Sequence, residues 1–168
     1  MSSQPLVDNR SQDPNGGRHM RLDDGSTIIR TPDVPMTALP GGLSGIHYKI
    51  LNYDKNRGYI VLYNTFAPGS RFQPHKHLGM VEIFMISGSF FYENGAVYPG
   101  DYMCEAGGVT HAPGTDEGAE MITIFHGPLQ MIGADGEVEM TVGVDEMYGL
   151  AAENNAVAHL EDTGRPGG

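Results

Sequence analysis

From residue 27 onward the chain is a succession of short apolar runs, that at 45–51 alternating apolar with polar residues, and the runs are separated by glycine, proline, asparagine or aspartate. Alternation with a period of two places successive side chains on opposite faces of a strand, so these runs predict half-buried β-strands. Thr27-Ile28-Ile29-Arg30 predicts a short edge strand, which Thr31-Pro32-Asp33-Val34-Pro35 breaks, and residues 45–51 predict a second strand after a turn at Leu39-Pro40-Gly41-Gly42. Residues 58–66, rich in β-branched and aromatic side chains, predict a strong strand behind a hairpin loop at Asp54-Lys55-Asn56-Arg57-Gly58. Further strands are expected within 81–86, 89–92, 102–105, 120–126, 129–133 and 138–142, with turns at Glu93-Asn94-Gly95, Pro99-Gly100-Asp101 and Ala134-Asp135-Gly136-Glu137. Only residues 144–158 carry a helical spacing, through Met147, Leu150, Ala151 and Val157. About ten short strands separated by turns, with one short C-terminal helix, predict an all-β fold: a single barrel or two-sheet jelly roll.

The ends lack this pattern. Residues 1–24 are polar and aperiodic and predict a flexible N-terminal segment, residues 25–160 the domain, and residues 161–168 a flexible tail. A chain of 168 residues is long enough for one domain with a substantial core. The net charge of −11, with no cluster of lysine or arginine, argues against a nucleic-acid partner. Cys104 is the one cysteine, so neither a disulfide framework nor a thiolate metal site forms within one chain, as suits a reducing compartment. No apolar run approaches the ~18 residues needed to span a bilayer, and the N-terminus lacks a basic start and apolar middle, so the expected location is the cytoplasm, without membrane attachment.

Candidate chemistry concentrates between Gly69 and Gly88. His75 and His77 flank Lys76, so on a strand both imidazoles point to one face. Two converging imidazoles suit iron, zinc, copper or nickel. Glu82 follows on the next strand, and His111 lies one hairpin later, after the turn at Gly100. If Glu82 faces the cavity, so do Phe84 and Ile86; in the other register Val81, Ile83 and Met85 line it. Both sets are apolar, so periodicity leaves both registers open and Glu82 stands as a candidate fourth ligand or catalytic carboxylate. His47 reads as a surface histidine and His126 as a core or interface histidine.

These two glycine-bracketed segments resemble the motifs of the cupin superfamily. The first reads Gly69, five residues, His75 and His77, four residues, Glu82, then Gly88, one residue early. The second reads Gly100, five residues, Ala106-Gly107-Gly108, two residues, His111 and three residues on Thr115, with Ala106 and Thr115 where the family has proline and asparagine. The spacing from His77 through Glu82 to Gly88, the pair Glu105 and His111, and Phe125-His126-Gly127-Pro128-Leu129 are similar to the branch of acetylacetone-cleaving (diketone) and 2,4'-dihydroxyacetophenone dioxygenases. The resemblance covers about 35–153. It implies a single cupin jelly-roll barrel, iron(II) held by His75, His77 and His111 without a carboxylate ligand, and Glu105 as a carboxylate outside the ligand set. Glu93 falls near where the diketone enzymes carry a pocket arginine, so the resemblance leaves the substrate within the branch open.

A three-imidazole centre leaves the metal its full charge and favours an anionic, chelating substrate. A carboxylate such as Glu105 can orient a ligating imidazole through its other N–H or accept a proton as the substrate ionises. Phe66, Phe72, Phe84, Phe90, Tyr92, Met103 and Met121 are candidates for an apolar pocket. The expected function is a non-haem iron(II)-dependent dioxygenase that cleaves a C–C bond next to a carbonyl, using O2 and a small β-diketone or hydroxyacetophenone-like substrate. Two alternatives stand beside it: a metal-binding cupin that senses a small molecule without oxygenase activity, and a metal-dependent lyase or isomerase. Zinc, manganese and nickel are the other candidate metals, and a homodimer or homotetramer is the expected assembly.

Overall fold

The computed structural model describes residues 13, 17–40 and 43–162. Its strands are β1 (Met20–Arg21), β2 (Thr27–Ile28), β3 (Thr37–Ala38), β4 (Ile46–Asp54), β5 (Tyr59–Phe66), β6 (His75–His77), β7 (Val81–Gly88), β8 (Phe90–Tyr92), β9 (Gly95–Val97), β10 (Tyr102–Glu105), β11 (Thr110–His111), β12 (Ala119–Phe125), β13 (Leu129–Ile132) and β14 (Val138–Val142), followed by helices α1 (Val144–Glu153) and α2 (Ala158–Asp162). They form a six-stranded sheet in the order β10-β7-β12-β5-β4-β3 and a four-stranded sheet in the order β11-β6-β13-β14, with two-stranded ladders β1-β2 and β8-β9. Every pairing is antiparallel. This is the expected cupin jelly roll, two sheets enclosing one interior.

Strand parity settles what lies inside. In β7 Val81, Ile83 and Met85 are buried, whereas Phe84 is 50% exposed and Ile86 also faces solvent. Glu82 shares the outward parity. In β4 the buried positions run Ile46, Tyr48, Ile50 and then Tyr53, because the register with β5 shifts between Ile50 and Asn52 and a bulged residue changes the parity. The register of β7 with β12 skips in the same way at Ile86, just before Gly88 turns the corner with φ +71°. A Cβ at Gly88 would stand 2.0 Å from the Gly118 carbonyl oxygen, so the early glycine is where two backbones meet.

Two apolar clusters hold the barrel. At one end Tyr48, Ile50 and Leu62 pack against Ala151, Val157 and Leu160 of the helical segment, and the Tyr48 hydroxyl donates to the Met147 carbonyl at 2.7 Å. At the other, Val81, Ile83, Met85, Phe90 and Met121 pack together.

Three boundaries differ from the sequence reading. The single helix expected over 144–158 is two helices, because Asn155 takes a left-handed φ of 55° after Asn154, a conformation asparagine tolerates and most residues do not. Within the segment expected to be flexible, Met20–Arg21 pairs with Thr27–Ile28; residues 1–12 and 14–16 lie outside the described residues. The tail expected from 161 begins inside α2, and 163–168 lie outside the described residues.

Candidate metal centre and its cavity

β6 is the middle of the site. It pairs on one side with β11, where His75 stands directly opposite His111, and on the other with β13, where His77 stands opposite Leu129. His75 and His77 share a face through strand parity, and His111 joins them across the ladder. The turn between β10 and β11 is tied to the same strand: the Gly108 N–H donates to the His77 carbonyl at 2.7 Å and the His77 N–H to the Val109 carbonyl at 3.0 Å.

The three Nε2 atoms form a nearly equilateral triangle, His75 to His77 3.1 Å, His77 to His111 2.8 Å and His111 to His75 3.0 Å. All three residues are buried. Burial, the largest cause, pushes the His75 pKa down to about 4 and lowers that of His111 as well, so both imidazoles are neutral near pH 7. The His75 Nδ1–H donates to the Gln73 carbonyl at 3.0 Å, which leaves the lone pair on Nε2. Three imidazole nitrogens that converge at this range repel unless a proton or a cation lies among them, so the donor set fits a metal ion. An ion about 2.1 Å from each nitrogen could be held by all three at once.

Glu105 closes one side. Its Oε2 lies 3.1 Å from His77 Nε2 and its Oε1 3.8 Å from His111 Nδ1, all within the buried interior. Its nearer contact is thus with the converging nitrogen of His77 rather than with the rear nitrogen of an imidazole. Burial by itself would raise the Glu105 pKa, but its contacts with the imidazoles of His77, then His111, outweigh it and hold the carboxylate below its ordinary range. Tyr92 stacks on the His111 ring with centroids 5.2 Å apart, and burial followed by the nearby Glu105 pushes its hydroxyl far above the usual tyrosine range. Glu93 accepts the Ala112 N–H at 3.1 Å and so ties the β8–β9 hairpin to the end of β11.

Glu82 is a correction. It points away from the metal centre, accepting from the Tyr102 hydroxyl at 2.7 Å and pairing with His126 Nε2 at 2.7 Å on the outer face of the sheet. The reason is parity: Val81, Ile83 and Met85 are the inward residues of β7, and Glu82 alternates with them. His126, expected as a core or interface histidine, is accordingly an exposed partner of Glu82.

The imidazoles open into an apolar cavity of about 710 Å³. Of the expected pocket residues, Phe66, Phe72, Phe90 and Met121 line it; Phe84 lies on the outer face, and Tyr92 and Met103 pack against the neighbouring core cluster. The sequence reading did not single out Asn64 and Thr123, which also line the cavity and are joined by an Asn64 Nδ2 to Thr123 Oγ1 hydrogen bond of 2.8 Å. Their signal was a polar residue at an inward position of an otherwise apolar strand.

Comparison with known proteins agrees with this architecture. The model of the ChrR cupin-like domain family matches residues 24–130. Among solved structures, a candidate acetylacetone dioxygenase from Methylibium petroleiphilum PM1 superposes with a TM-score of 0.70 at 22% identity, covering 74% of this chain and 92% of that one. The acetylacetone dioxygenase of Acinetobacter johnsonii gives a TM-score of 0.68 at 22% identity, with 76% and 90% covered. The polyketide cyclase RemF of Streptomyces resistomycificus gives 0.52 at 17% identity, with 71% and 85% covered. No curated protein matches the chain. No helix among the described residues is long and apolar enough to cross a membrane. With its two-sheet barrel, its buried histidine triangle and a family match over most of its length, the chain belongs to the ChrR cupin-like domain family.

Proposed function

We propose that the protein is a non-haem iron(II)-dependent dioxygenase that cleaves a C–C bond next to a carbonyl in a β-diketone or hydroxyacetophenone-like substrate. The observation that carries this reading is the triangle of His75, His77 and His111 Nε2 atoms, with no carboxylate among the converging donors and Glu105 beside them. Iron(II) held there would keep its full charge, bind an enolate through two oxygens and leave room for O2. His75, His77 and His111 would hold the ion. Glu105, ionised and 3.1 Å from His77 Nε2, is placed to take the proton that a β-diketone loses from the carbon between its carbonyls. The apolar walls keep water out and strengthen the electrostatic interactions inside. Insertion of both oxygen atoms across the broken bond leaves a carboxylic acid and a 1,2-dicarbonyl from a β-diketone, or a benzoic acid and formic acid from a hydroxyacetophenone. The similarity to two acetylacetone dioxygenase structures supports this reading at the level of fold.

The competing reading is a metal-dependent lyase or cyclase that uses no oxygen, favoured by the size of the cavity. An oxygen electrode separates the two. Protein loaded with iron(II) is expected to consume one O2 per ketone cleaved and to be inactive without oxygen. Turnover under anaerobic conditions, or ketone binding without oxygen uptake across a panel of diketones and hydroxyacetophenones, would reject the dioxygenase.

A further inference from the structure

The cavity is much larger than acetylacetone requires. At about 710 Å³ it falls within the ~300–1,000 Å³ range of sites that enclose drug-sized ligands. Its walls are apolar, and no lysine or arginine among the described residues lines it. Three exposed carboxylates, Glu139, Glu146 and Glu153, line its outer part on β14 and α1. These three carboxylates make the cavity unfavourable for a substrate that carries a carboxylate of its own.

Inside this apolar space stands one neutral polar pair. Asn64 of β5 and Thr123 of β12 are 9% and 5% exposed and hydrogen-bonded at 2.8 Å. Thr123 is the next inward position on β12 after Phe125, whose ring is stacked against His77 with centroids 6.4 Å apart. Two residues of strand span about 7 Å, so Thr123 stands roughly that far along β12 from the residue whose ring covers His77. Their mutual bond uses one amide N–H and one hydroxyl lone pair. The Asn64 carbonyl oxygen, its second N–H and the Thr123 hydroxyl proton have no partner among the described residues, and polar groups left so in an apolar cavity are costly unless a ligand or water meets them.

We propose that the cavity takes an uncharged, drug-sized ketone with an apolar body, and that Asn64 and Thr123 read a second hydrogen-bonding oxygen apart from the chelating pair. This rests on the reading of the histidine triangle as a metal centre that binds a β-diketone. The test measures equilibrium affinity on zinc-loaded protein, which holds the ligand without turnover, for acetylacetone, dibenzoylmethane and the para-hydroxy and para-carboxy derivatives of dibenzoylmethane. Dibenzoylmethane is expected to bind at least roughly tenfold more tightly than acetylacetone, the para-hydroxy derivative roughly tenfold more tightly again, and the para-carboxy derivative at least roughly tenfold more weakly than dibenzoylmethane. Thr123→Val, which keeps the side-chain shape, and Asn64→Leu should each remove most of the preference for the hydroxyl while leaving dibenzoylmethane affinity within about threefold. Equal affinity for the hydroxylated and plain ligands, equal weakening of both by the variants, or tight binding of the carboxylate would overturn the proposal. Because oxygen uptake is not read, a protein that shows these preferences yet consumes no oxygen leaves this inference standing and removes only the oxygenase reading.

Discussion

His75 and His111 are direct cross-strand partners on β6 and β11, and their Nε2 atoms stand 3.0 Å apart. The contact is made by sheet register rather than by loop conformation, so the site is as rigid as the ladder that carries it. His77, on the same strand as His75, completes the triangle without any further chain reversal.

Glu105 is expected to act on the substrate rather than to hold the metal. Glu105→Gln should lower the rate of oxygen uptake about a hundredfold while leaving metal content within about twofold of the unmodified protein. Parallel assays of oxygen uptake and bound metal test this, and equal loss of both would make Glu105 a ligand.

The acid sensitivity of the metal-free protein has a defined window. His75 titrates near 4 in the folded chain because burial disfavours its charged form, against an ordinary value of 6.5. Between these values the unfolded chain binds the extra proton and the folded chain does not, so stability falls as pH drops from 6.5 towards 4 and levels off below. The size is about 3 kcal/mol. Glu105, whose folded pKa is depressed, adds a second loss that begins near its ordinary 4.5 and continues as pH falls through its lowered value. Urea unfolding of metal-free protein across this range should show the first loss, and His75→Gln should flatten it.

Gly88 tests the corner between β7 and β8. Alanine there would carry φ +71° and place its Cβ 2.0 Å from the Gly118 carbonyl oxygen. The expected cost is about 3 kcal/mol or more, read as a lowered Tm. Gly58→Ala, with a φ of +63° but nothing within 4 Å of its Cβ, should cost less, about 1 kcal/mol.

Much of this architecture was legible in the chain. The β-branched and aromatic run Tyr59, Ile60, Val61 and Leu62 and the turns at Asn94-Gly95 and Asp135-Gly136 carried the β class, because strand propensity and turn chemistry are local properties. The spacing of His75 and His77 already placed two imidazoles on one face. What the chain did not reveal was parity across apolar strands. Val81, Ile83 and Met85 are as hydrophobic as Phe84 and Ile86, so the direction of Glu82 depends on pairing with β10 and β12, which is a long-range fact. The same limit hid Asn64 and Thr123, whose inward position appears only once β5 and β12 are paired. The break at Asn155 was missed because apolar spacing continues across it to Val157.

The ligand set is the claim on which the rest depends, and bound metal measured on purified variants tests it most directly. The unmodified protein and Glu82→Gln are predicted to carry about one metal ion per chain, and His111→Ala to lose at least about nine-tenths of it. Full metal content in His111→Ala, or loss of metal in Glu82→Gln, would contradict the three-histidine centre.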